Sequence, residues 1–137
     1  MARREPTWID RTALLALHAE SLAEFGGASG LRDEGLFDSA LARPQQRFVY
    51  GRPDLAELAA AYAYGLAKNH PFVDGNKRCA FIALGLFLAI NGERLTATPA
   101  EATLAMLAVA AGDLDEQRLT EWIRSHSVKS RPTRAKR

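Results

Sequence analysis

Nine consecutive residues, His70-Pro71-Phe72-Val73-Asp74-Gly75-Asn76-Lys77-Arg78, gather an imidazole, a carboxylate, an amide and two cations. They lead into an apolar stretch, Cys79 to Ile90, so the segment reads as a loop feeding the N-terminus of a helix. The first N–H groups of a helix lack partners within it, and together with the positive end of the helix dipole they favour an anion. Gly75 permits a tight turn through which backbone amides approach a phosphate. Arg78 can grip phosphate oxygens as a fork, whereas Lys77 acts as a point charge. Gly75, Asn76, Lys77 and Arg78 are therefore candidate phosphate ligands. Asp74 would repel a phosphate unless a cation intervened, and Mg2+ commonly takes one or two carboxylates together with substrate phosphates. His70 is the group suited to taking a proton from an attacking hydroxyl. The parts describe transfer from a nucleotide onto a hydroxyl, resting on positioning and charge stabilisation.

Plainer roles compete. Asp74 or Asn76 can simply cap the helix that follows. Phe72 reads as a core anchor holding the loop. Lys77 and Arg78 can be solvated, although cations at a helix start oppose the dipole and so argue for a compensating anion. His70 and Asp74 have the four-residue spacing of helical metal ligands, but Pro71 and Gly75 argue against a helix there, and a zinc site is not expected. Lys68, two residues before His70, is a weaker candidate for a phosphate or substrate contact, set against a solvated cation at a helix end.

The elements that must position this loop follow from apolar spacing. Asp10 caps a first helix carrying Leu14, Leu15, Leu17, Leu22 and Phe25, which Gly26 and Gly27 end. A second, shorter helix fits Asp33 to Ala42, stopped by Pro44, and residues 45–53 then read as a loop. Asp54 caps a third helix with Leu55, Leu58, Ala59, Tyr62 and Leu66 on one face; Pro71 ends it near Asn69. The fourth, from about Lys77 to Ile90, is apolar nearly all round and is expected at the centre of the domain. Asn91-Gly92 closes it. Thr98-Pro99 opens a fifth helix to about Ala111, and a last one around Asp115 to Ser125 buries Leu119, Trp122 and Ile123. His18 reads as a satisfied core or groove histidine, Asp33 as a helix cap, and Cys79 as buried and inert.

The composition agrees. Among 137 residues there are 25 Ala and 18 Leu but eight Val plus Ile, which favours helix over strand. The expected fold is all-α, a compact bundle of about six helices with one buried central helix, as a single domain over residues 1–127. The net charge of +2 conceals a split: five cations and no acid lie from Lys129 onward, leaving 13 cations against 16 acids before it. Residues 128–137 are expected to be a basic, disordered tail. Direct nucleic-acid binding would rest on that tail alone. One cysteine excludes an internal disulfide framework. The longest uncharged apolar run is 12 residues, against about 20 needed to cross a bilayer. A cytoplasmic protein without membrane contact is expected.

HPFVDGNKR resembles the motif of the Fic/Doc family, H-x-F-x-(D/E)-G-N-(G/K)-R, at every defined position. The GNKR ending is similar to the Doc (death-on-curing) toxin branch, whereas the AMP-transferring Fic branch usually has GNGR followed by a second Arg. Phe81 stands where that Arg would be. The stretches GLRDEGLFDSALARPQ and FLAINGERL also resemble Doc-type toxins, so the likeness runs over about residues 8–125.

The resemblance implies a toxin of a toxin-antitoxin pair. It would be a protein kinase using ATP and Mg2+ to phosphorylate a threonine of elongation factor Tu and block translation. His70 would be the base, Asp74 the metal ligand, and Gly75, Asn76, Lys77 and Arg78 the phosphate cradle. Lys77 in place of Gly favours phosphate transfer over the alternative, AMP transfer; a further alternative is a non-catalytic partner of an antitoxin or repressor. The inhibitory S/T-x-x-x-E-G/N helix of self-restrained Fic proteins has no match, since Gly30 precedes Glu34-Gly35 at the Ser/Thr position. The expected brake is a separate antitoxin whose C-terminal segment lies as a helix in a groove of the toxin. Nucleic acid would then be met only through the antitoxin complex.

Overall fold

The structure is a computed structural model that describes residues 4–130. Six helices follow in order: α1 (Arg11–Phe25), α2 (Glu34–Tyr50), α3 (Leu55–Asn69), α4 (Asn76–Ile90), α5 (Pro99–Ala111) and α6 (Glu116–Ser125). Two short strands, β1 (Glu93–Leu95) and β2 (Ser127–Lys129), join them. The architecture is the all-α bundle expected from composition and periodicity. No helix among the described residues is long and apolar enough to cross a membrane.

Five of the six helices begin with a side-chain cap. The carboxylates of Asp10, Asp33, Asp54 and Asp115 accept the N–H groups of Ala13, Leu36, Glu57 and Arg118. Thr98 and Glu101 form a reciprocal capping box on α5. Each satisfies N–H groups that the helix itself leaves open.

The most enclosed helix is α3, with ten of its fifteen residues buried against six in α4. This corrects the expectation for α4. The alanines of α3 let α2, α4, α5 and α6 pack around it. A β-carbon on Gly65 would come within 3.3 Å of Ala40 on α2, so the two backbones approach closely. Half-buried Phe81 of α4 packs at the edge of the core and also lines a cavity beside α5. An all-apolar sequence does not distinguish a core face from a groove face.

The second correction concerns α2, which runs through Pro44 to Tyr50. A mid-helix proline removes one backbone bond and costs about 3 kcal/mol. Packing offsets it: Pro44 is buried, Phe48 meets Trp8 edge-on at 5.8 Å, and Arg43 and Arg47 both pair with Glu116 of α6. Helical spacing of Phe37, Ala40, Leu41, Pro44 and Phe48 carries the buried face across the proline.

The third concerns the chain after α6. Val128 and Lys129, expected to begin a disordered tail, pair as β2 with β1 in antiparallel register, Arg94 opposite Val128. Residues 131–137, the rest of that expected tail, lie outside the described residues.

Candidate active site

The loop between α3 and α4 is tied down residue by residue. His70 ends α3 in the left-handed conformation, φ 50° and ψ 55°, the one non-glycine with positive φ among the described residues. Arg32 caps that helix end: Nε and Nη2 donate to the His70 carbonyl at 2.9 and 2.6 Å, and Nη2 to the Asn69 carbonyl at 3.1 Å. The Pro71 carbonyl accepts the N–H groups of Arg32 and Asp33 at 2.7 and 3.0 Å, and the Val73 N–H donates to Gly30 at 3.1 Å. The connection between α1 and α2 thus lies along the loop as a short antiparallel brace.

Phe72 is 2% exposed, stacked on His18 with ring centroids 3.7 Å apart and edge-on to Phe37 at 5.3 Å. Its ring is thereby held between α1 and α2. Asn76 closes the loop from the other end: its Oδ1 accepts the Phe72 N–H at 2.8 Å and its Nδ2 donates to the Phe72 carbonyl at 3.0 Å. The Asn76 side chain is therefore committed to the loop, and only its backbone N–H faces the helix start.

Asp74 is exposed and held at two points. Its Oδ2 accepts the Ala28 N–H at 3.1 Å, and its carbonyl lies 2.9 Å from His18 Nε2. It does not cap α4, and neither does Asn76. Gly75 takes φ 75°, and a β-carbon there would lie 3.1 Å from His18 Nε2 and 3.2 Å from Leu22. Glycine at this position answers both the backbone conformation and the close approach of α1.

The N-terminus of α4 is the exception among the helices: no side chain caps it. Cys79 N–H bonds back to the Gly75 carbonyl at 2.8 Å, which leaves the N–H groups of Asn76, Lys77 and Arg78 facing outward at the positive end of the helix. Lys77 is exposed, and the Arg78 guanidinium stands 5.1 Å over the ring of exposed Phe25. Two cavities flank this point. One of about 390 Å³ is lined by Asp74 to Arg78 with Phe81, Thr103, Met106 and Leu107. The other, about 400 Å³, is lined by Arg32, His70, Phe72 and Val73 and shares Asp74 to Lys77. The shared residues form a wall with a cationic helix end in the middle, an imidazole on one side and an apolar floor on the other. A separate cleft of about 390 Å³ between α2, α3 and α6 holds none of these residues.

Lys68 lies apart. Its Nζ is 3.8 Å from where a β-carbon on Gly112 would stand, at the C-terminal end of α5, and it lines neither cavity beside the loop. That end of a helix favours a cation. Among the described residues no cluster of three His, Cys, Asp or Glu side chains is present that would enclose a metal alone. The donor set fits Mg2+ shared with phosphates: Asp74 spends Oδ2 on Ala28, while Oδ1 has no hydrogen-bond partner among the described residues, beside a helix end suited to phosphate oxygens. Burial pushes the Cys79 thiol up to about 12, so this residue next to Arg78 is an inert part of the core.

Two residues that shape the site, Arg32 and His18, carry no local signal of that role in the sequence. Arg32 acts on a carbonyl 38 residues away, and His18 on one 56 residues away. His18 is buried as expected, at 4% exposure, but its bond to Asp74 is a tertiary event.

The Fic/DOC family model matches residues 8–88. The chain is 50% identical over 93 residues to "Toxin Doc" of Mycolicibacterium smegmatis, covering 66% of this chain and 68% of that protein. It is 34% identical over 112 residues to "Protein kinase doc" of Escherichia phage P1, covering 81% of this chain and 88% of that one. With the loop, its glycine and the uncapped start of α4 all inside the matched region, the chain belongs to the Fic/DOC family.

Proposed function

We propose that the chain is an ATP- and Mg2+-dependent protein kinase that phosphorylates a threonine of elongation factor Tu, acting in the cytoplasm as the toxin of a toxin-antitoxin pair. The observation that carries the reading is the bare start of α4, where three N–H groups and the Lys77 and Arg78 side chains converge between two cavities. The phage relative described as a protein kinase supports the same chemistry.

In this reading the phosphate chain lies across the shared wall, held by the backbone of Asn76, Lys77 and Arg78 and by the two cations. The nucleoside extends over the apolar floor at Phe81 and Met106, and the acceptor hydroxyl enters beside His70. Bound Mg2+ supplies charge neutralisation at the phosphate oxygens, with Asp74 as its protein ligand. His70 accepts the hydroxyl proton as the oxygen bonds to the terminal phosphorus. The bond from that phosphorus to the bridging oxygen breaks, and ADP leaves. Phe81 adds no second guanidinium on the nucleotide side, consistent with transfer of the terminal phosphate rather than AMP. Leu104 and Leu107 on α5, exposed by 67% and 45%, offer apolar contacts suited to the C-terminal helix of an antitoxin.

Purified chain is incubated with elongation factor Tu and ATP labelled at the α- or the γ-phosphate. Label passing from γ-ATP alone, and lost in His70→Ala and Asp74→Ala, is the expected result. Label from α-ATP would replace the kinase reading by AMP transfer. Growth arrest persisting in both variants would favour a non-catalytic partner.

A further inference from the structure

His18 has a feature that packing alone does not require. A histidine that only fills space on the inner face of α1 needs no acceptor at its outer edge, yet Nε2 lies 2.9 Å from the Asp74 carbonyl. A carbonyl oxygen only accepts, so Nε2 carries the hydrogen and donates. The ring itself is fixed by its stack on Phe72, 3.7 Å between centroids and 20° between planes, and Phe72 is pinned in turn by Phe37 and by the Asn76 side chain. The donor therefore has little freedom, and the Asp74 peptide is held against it. On the far side the Ala28 N–H holds the Asp74 carboxylate through Oδ2. Between these two fixed points the direction of Oδ1 is set.

We propose that His18 is a positioning residue for the metal–nucleotide complex: through the Asp74 carbonyl it aims the Asp74 carboxylate at the start of α4. The proposal rests on the reading of Asp74 as the metal ligand. A residue that orients a ligand in this way sets metal affinity without touching the metal. Gly75 belongs to the same device, because a β-carbon there would lie 3.1 Å from Nε2 and crowd the imidazole.

Two substitutions separate the donor from the stack. His18→Phe keeps an aromatic face on Phe72 and removes the N–H; His18→Gln keeps an N–H at the position of Nε2 and removes the ring. Binding of Mn2+ to the full chain in the presence of ADP is followed by electron paramagnetic resonance, with thermal unfolding measured on the same samples. His18→Phe should weaken Mn2+ binding about tenfold with unfolding near that of the parent chain. His18→Gln should unfold earlier yet bind Mn2+ within about twofold of the parent. His18→Leu, apolar and without a donor, repeats the first arm if the phenylalanine variant does not fold. Parental affinity in His18→Phe, or affinity that follows stability across all three variants, would overturn the positioning role. Asp74→Asn is the control for the underlying reading: if it binds Mn2+ and ADP as the parent does, Asp74 is not the ligand and both conclusions fall. If Asp74→Asn loses binding while His18→Phe does not, only the role of His18 falls.

Discussion

The Arg32 guanidinium meets the carbonyl of His70 with two donors, at 2.9 and 2.6 Å, and so closes the C-terminal end of α3. A cation there answers the negative end of the helix dipole and satisfies a carbonyl that the left-handed turn leaves open. The consequence is positional, since the residue being fixed carries the proposed base. Arg32→Lys offers a point charge without the fork. It should lower kcat by about ten- to a hundredfold while the KM for ATP holds, because displacing a reacting group by about 1 Å has effects of that size. Steady-state kinetics on the purified variant check the split; a rise in KM alone would contradict it.

His70 itself sits in a backbone conformation that L-residues avoid, at about 1 to 2 kcal/mol relative to the right-handed helix. His70→Gly should therefore abolish transfer and stabilise the fold by about 1 kcal/mol in urea unfolding. A variant that is both inactive and less stable would show that the imidazole contributes packing that offsets the strain.

Gly75→Ala adds a methyl group into the space of His18 Nε2 and Leu22 at a positive φ. We expect a loss of about 1 to 3 kcal/mol of stability, together with loss of nucleotide binding in fluorescence titration. Retained binding at full stability would mean that α1 can step back from the loop.

Cys79 is fully buried, and its thiol is pushed up to about 12 by that burial. At pH 8 the native chain should resist iodoacetamide and become modified at a rate set by unfolding. Mass spectrometry with and without denaturant reads this directly, and rapid labelling of the native chain would contradict the burial of Cys79.

Asp54 links the start of α3 to α6. Partial burial raises its pKa, but hydrogen bonds from Arg124 at 2.9 Å and from the Glu57 N–H outweigh this and hold the carboxyl below its usual 3.8. A group depressed in the folded state adds stability that is complete above its unfolded pKa and is lost as the pH falls through the folded value. Asp54→Asn should flatten the acid side of the stability curve below about pH 4, and leave its shape near neutrality unchanged. Urea midpoints across pH 2.5 to 7 test the sign.

Much of the bundle is legible because its signals are local. Each cap sits three residues from the N–H it satisfies, so Asp10, Asp54, Thr98 and Asp115 announce their helices in the sequence. The His70 to Arg78 segment is legible for the same reason, with every proposed group inside nine residues. Pro44 misleads because its local penalty is offset by contacts from distant parts of the chain, among them Trp8 on Phe48 and Glu116 on Arg43 and Arg47. The pairing of Arg94 with Val128 escapes notice because three-residue strands have no usable period. The amide of Asn76 reads as a phosphate ligand or a cap, yet its two bonds to Phe72 depend on a loop shape that no residue type dictates.

Those two bonds turn residues 72–76 into a small closed ring that the chain fastens with its own side chain and backbone. The conformational entropy of ordering the loop is then spent during folding, not at encounter. Such a ring does not mould itself to its guest. On the proposed kinase reading, adjustment comes from the incoming protein, whose acceptor hydroxyl has to lie on a pliable segment able to enter a socket of fixed shape.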